Sequence, residues 1–179
     1  MSEFSDSARV PVLQDADLTV WDSLAICEYL NDNYLASKAW PSDRHNKALA
    51  RAICAEMHAG LSAMRNEMPM NIRASRIVQL SSNALADVAR VDAIWSEYVK
   101  LDENGDLRLF GSFSIADCFF APVVMRFDCY KPELSAKAQA YVNSMLEHPS
   151  LKSWIADALL ETEIVSEDEA GEEREINFV

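Results

Sequence analysis

The spacing of apolar residues from Leu49 onward constrains this chain most. Leu49, Ile53, Met57, Leu61 and Met64 recur at steps of three or four, the repeat that aligns one face of an α-helix. It predicts a long helix ending near Pro69. Ile77, Ala84, Val91 and Tyr98, with Leu80, Val88 and Trp95 between them, predict a second. Their near-seven-residue spacing predicts two helices side by side at a shallow angle. Asp102 to Asp106 reads as a loop, and shorter helices are expected from Ser114 to about Tyr130, Ser135 to about Leu146 and Ser150 to about Leu160. Only 4 glycines and 6 prolines interrupt 179 residues, half of which are hydrophobic.

The front of the chain follows another rule. Arg9 to Leu13 and Leu18 to Trp21 are short β-branched runs joined by Gln14-Asp15-Ala16-Asp17, which predicts a hairpin. A helix should start at Ser23, with Leu24, Cys27, Leu30 and Tyr34 as its apolar stripe. Trp40-Pro41-Ser42-Asp43 then breaks the chain and offers caps to the next helix. A lone hairpin leaves both edges unpaired, and nine residues before Val10 are too few to supply more strands. The expectation is a lobe lacking its front part.

The formal net charge is −13, which argues against nucleic acid or an anionic membrane as partner. From Glu161 to Val179 the chain carries 8 acidic residues and one arginine. Its composition predicts a solvated, poorly ordered acidic tail over 163–179, with an acidic docking tail as the alternative. No apolar run is long enough to span a bilayer, and MSEFSDSAR lacks the basic start and apolar stretch of a signal peptide. A cytoplasmic location is the simplest expectation. Cys27, Cys54, Cys118 and Cys129 form no Cys-x-x-Cys pair, so buried free thiols are expected. His45, His58 and His148 lack metal-site spacing, and no metal is implied.

Several segments, in order, resemble the cytosolic glutathione transferase family. They are VPVL at Val10 to Leu13, WDSLAICEYL at Trp21 to Leu30, AWPSD at Ala39 to Asp43, AEMHAGLSAMRNEMPMNIR at Ala55 to Arg73, FSIADCFFAPVV at Phe113 to Val124 and HPSLKSWIADAL at His148 to Leu159. The later ones look most like bacterial members with a serine-type active site. The resemblance implies a mostly α fold. An all-helical glutathione-transferase C-terminal domain (39–162) is preceded by a partial thioredoxin-like, glutathione-binding lobe (1–38) of β-hairpin plus helix.

The resemblance also implies roles. Val10-Pro11 matches a cis peptide that turns the Val10 backbone toward the cysteinyl amide of glutathione, as an added strand would pair; an edge-strand proline is the plainer reading. Asp22 and Ser23 match the corner that holds the glutamyl ammonium and carboxylate, at a helix start whose free N–H groups suit an anion. Equally they are ordinary capping residues. His58 and Arg65 lie on the helix lining the second-substrate pocket, with Met57, Leu61, Met64 and Met70 as flexible apolar walls or simply as core. Ser114 and Asp117 have capping-box spacing and are assigned to folding, since no histidine lies nearby in sequence to complete a catalytic set.

In the family, a serine, tyrosine or cysteine after the first strand favours the glutathione thiolate, the actual nucleophile. That segment has no counterpart in the sequence, so no catalytic residue is assigned. Glutathione is the implied co-substrate and a small electrophile the implied acceptor. Two readings stand: a transferase with impaired conjugation, or a non-catalytic interaction or assembly module. A homodimer is implied through the third family helix and the two long helices.

Overall fold

The computed structural model describes residues 8–174. Strands β1 (Val12–Asp15) and β2 (Leu18–Trp21) form an antiparallel hairpin with Val12 opposite Trp21 and Asp15 opposite Leu18. Gln14 and Asp15 belong to the strand, which leaves a two-residue turn in which Ala16 takes a φ of 53°. Helix α1 (Ser23–Asn33) follows. Tyr29 donates to Asp15 Oδ2 at 2.7 Å and Tyr34 donates to the same oxygen, fastening helix to hairpin.

The lobe meets the helical domain through Glu28, which takes both Nε and Nη2 of Arg51 at 2.6 and 2.9 Å and the indole N–H of buried Trp40 at 3.2 Å. Buried Asn31 accepts from Ala39 N at 3.0 Å, and Ala39 O accepts from Ile115 N at 2.9 Å.

Helix α2 (Arg44–Ala59) starts at Asp43, whose carboxylate accepts from Asn46 N at 2.8 Å. The expected single helix to Pro69 is broken at Gly60 and Leu61, and α3 (Ser62–Glu67) begins afresh. Leu61 takes left-handed angles, φ 56° and ψ 34°, and has no side-chain acceptor for the new helix start. Asp87 supplies one from α4 (Ser82–Tyr98), accepting Met64 N at 3.0 Å. Helix α4 is also shorter than its apolar repeat predicts, because Ser81 caps it and Ile77 lies in strand β3 (Arg76–Ile77). In consequence α2 packs chiefly on α5 (Ile115–Tyr130), and α4 packs on α3 and α6 (Ala136–Leu146). Strands β4 (Val99–Leu101) and β5 (Leu107–Leu109) flank the expected loop as a second hairpin.

Helix α5 is the axis of the core. Trp95 of α4 meets Phe120, Phe127 and Tyr141 edge-on, with centroids 6.0, 5.2 and 4.9 Å away. Under its N-terminus, Asp117 accepts from Leu109 N and Ser114 N at 2.9 Å and from Tyr141 OH at 3.0 Å. Ser114 Oγ accepts from Ala116 N at 3.2 Å. The capping box therefore also ties α5 to β5 and α6. Helix α7 (Pro149–Ala158) closes the domain. Among the described residues no helix is long and apolar enough to cross a membrane.

The acidic tail, expected to be solvated and poorly ordered, stays largely exposed yet is folded back as far as Arg174; 175–179 lie outside the described residues. Strand β6 (Glu172–Glu173) pairs antiparallel with β3, Arg76 opposite Glu173. Arg73 donates to Glu161 O and Glu163 O, both at 2.5 Å, and Glu169 takes Arg76 and, at 2.8 Å, Asn71. Arg174 reaches Tyr130 O at 3.2 Å. Composition missed this because the partners lie far back in the chain: Arg76 neutralises Glu169, 93 residues later, and Arg73 holds the tail by its backbone.

Candidate functional site

The site begins where β2 turns into α1. Asp22 stands at φ 74° and ψ 129°, a region in which a side-chain-bearing residue is strained by about 1–3 kcal/mol. Its Oδ1 accepts from Leu24 N at 2.9 Å and Ala25 N at 3.4 Å, while Oδ2 lies 2.8 Å from His58 Nε2 on α2. Partial burial raises the Asp22 pKa, but the His58 hydrogen bond, the two backbone N–H groups and the His58 charge outweigh it, leaving the carboxyl below its ordinary range. The Asp22 carboxyl is ionised at neutral pH. Ser23 opens α1 beside it, and the Val10-Pro11 peptide is cis, as the resemblance implies.

The corner faces a cavity of about 510 Å³ bounded by α1, α2, α3, α5 and α7. Val10, Ser23, Met57, His58 and Arg65 all line it. Asp22 joins them through His58. Leu61 does not line it: the αL turn points it into the core, where it is 8% exposed. Met64 is likewise fully buried core, whereas Met70 reaches the cavity. Pro11 stays in the approach to the hairpin, and Ser114 and Asp117 remain below the α5 start.

The far wall was not anticipated from sequence. Cys118, Phe119, Pro122, Val123 and Arg126 present one face of α5 to the cavity, Cys27 does so from α1 and Trp154 from α7. Their spacing along α5 is the signal that could have found them, since steps of three and four mark one helical face. Cys27 and Cys118 are thus cavity-lining rather than core thiols, while Cys54 and Cys129 are buried as expected. Burial, then Glu28, raises the Cys27 thiol pKa. Cys118 opens to the cavity but is densely surrounded, and burial together with Asp117 pushes it up to about 11. Neither is a thiolate at neutral pH.

The family model described as Glutathione S-transferase, C-terminal domain, matches residues 47–157, more than half of the chain. The chain belongs to the glutathione S-transferase family. The model described as Glutathione S-transferase, N-terminal domain, matches residues 1–32. Among solved structures the chain is similar to a glutathione transferase homologue from Burkholderia with bound glutathione, at 25% identity and TM-score 0.64, covering 87% of this chain and 76% of that one. It is also similar to glutathione transferase Omega 3C from Trametes versicolor, at 15% identity and TM-score 0.60, over 84% and 68% of the two chains. Glutathione S-transferase 1-6 from Anopheles dirus species B matches at 16% and 0.60, over 89% and 77%. The last two likenesses concern the fold alone. No curated protein matches the chain.

Proposed function

We propose that this glutathione S-transferase binds glutathione at the Val10, Asp22 and Ser23 corner and holds a small electrophile in the adjoining cavity. The observation that carries this is the Asp22 carboxylate. It is fixed at a helix start by two backbone N–H groups, kept charged, and set beside an apolar cavity. Asp22 supplies a counter-charge to the glutamyl ammonium. Ser23 supplies its hydroxyl and backbone N–H to the glutamyl carboxylate. Val10 offers backbone to the cysteinyl amide. The similarity to a homologue that holds glutathione supports the same reading.

Conjugation by this chain is expected to be weak, because the thiols lining the cavity are not activated and, among the described residues, the lining hydroxyl of Ser23 is committed to the glutamyl carboxylate. Addition of glutathione to a chloronitrobenzene acceptor should stay near the buffer rate, and a clear enzymatic rate would overturn this part. Calorimetric titration of glutathione into the protein and into a variant with Asp22→Ala and Ser23→Ala tests the binding. Heat that vanishes in the variant supports the corner. No binding to either protein would move the function to the helical domain as an interaction module. The proposal includes a homodimer through α1, α2 and α4, and light scattering that returns the mass of one chain at micromolar concentration would exclude it.

A further inference from the structure

Two guanidinium groups line a cavity whose other walls are mainly apolar. Arg126 stands one turn beyond Pro122 on α5 and donates Nη1 to Pro122 O at 3.0 Å, while its Nε is buried with no hydrogen-bond partner. Arg65 donates Nη1 to His58 O at 3.2 Å. Both acceptors are neutral carbonyls. Arg51, Arg76, Arg90 and Arg108 each pair with a carboxylate, but among the described residues neither Arg65 nor Arg126 does so within 4.0 Å. Burial and the charge of Arg65 both lower the Arg126 pKa, and Tyr130 and Asp168 oppose them only in part. Asp168 acts on Arg126 without an ion pair within 4.0 Å, and Asp22 is already engaged by His58.

A cation withdrawn from water without a counter-ion gains most from an anion that comes to it. The planar guanidinium fork suits a carboxylate, and Phe119, Val123 and Trp154 offer an apolar bed for the rest of the molecule. We propose that the second substrate of this cavity is an amphipathic carboxylate, an apolar or aromatic body whose anionic head is bound by Arg126 with help from Arg65. The word substrate rests on the glutathione reading above; the binding does not.

Calorimetric titration with trans-cinnamate and its neutral amide, which share one shape, tests the proposal. The acid should bind the native protein about tenfold tighter than the amide, as a charge-assisted pair implies. With Arg65→Gln and Arg126→Gln together, that ratio should fall to about one while the amide keeps its affinity. Arg65→Gln alone, at an exposed position, should lower the ratio by about threefold and decides the matter if the double variant fails to fold. Equal binding of acid and amide, a ratio that survives the substitutions, or no binding of either probe would each overturn the proposal. So would displacement of cinnamate by saturating glutathione, which would assign the arginines to the tripeptide. Cinnamate selectivity in a protein that gives no glutathione heat would instead refute the glutathione reading and leave this one standing.

Discussion

Asp117 concentrates more consequences than any other side chain in the helical domain. Burial is the largest influence on it and pushes its pKa up to about 6, against the opposing pull of Leu109 N, Tyr141 OH, Ser114 N and the Arg108 charge. A carboxyl whose folded pKa exceeds its unfolded value binds its proton more tightly in the folded chain. Its effect on stability is therefore most favourable below about pH 4 and declines as pH rises to about 6. Denaturant midpoints of the native protein and Asp117→Asn across pH 4 to 7 should show this slope only in the former. Asp117→Ala should cost about 3 kcal/mol or more at any pH, since it strands two backbone N–H groups and a tyrosine hydroxyl. Urea unfolding measures that loss. Asp22→Ala should be milder, about 1 kcal/mol for the lost cap, with the larger effect on glutathione binding.

At the scale of elements, the break between α2 and α3 shapes the cavity. It sets Met57 and His58 on one helix and Arg65 on the next. A Cβ on Gly60 would stand 2.8 Å from the backbone oxygen of Glu56. Gly60→Ala should therefore destabilise by about 1–2 kcal/mol, and Asp87→Ala by about 1–2 kcal/mol through the unpaired Met64 N; thermal melts can rank the two. The apolar repeat ran straight through this break, because Leu61 keeps its place in the core while its backbone turns left-handed. Periodicity reports burial, and burial survived the change of direction. The same blindness extended α4 back to Ile77, which is apolar for a strand rather than for a helix. Capping residues were better guides where they were read: Asp43, Ser114 and Ser135 all sit where side-chain oxygens accept helix N–H groups, as does Ser81, which the periodicity overran. The near wall of the site was legible through short motifs at Asp22-Ser23 and around His58. The far wall was not, since nothing local in Pro122 or Arg126 tells which helix they will face.

At the scale of the whole molecule, the charge of the chain is arranged rather than merely carried. The acidic stretch after Leu160 lies on Arg73 and Arg76 and brings Arg174 to the end of α5. The same stretch forms part of a second hollow of about 270 Å³, which shares Met70 and Trp154 with the main cavity. Gly171 makes the turn into β6 at φ +74°, where a Cβ would lie 2.2 Å from Ile77 O. Gly171→Ala should open this pairing and leave the distant core intact. Amide exchange should then speed up at β3 and β6 alone.

That folded-back strand turns a protease into a clock for its own pairing. A glutamyl-specific protease needs several residues of extended, unpaired chain, and the bonds after Glu172 and Glu173 are held in a ladder with Arg76 and Ile77. Cutting at those two bonds must wait for the ladder to part, so its rate there counts the openings of the β3–β6 pair. Gly171→Ala, which crowds Ile77 O, would quicken that cutting without adding or removing a single glutamyl bond.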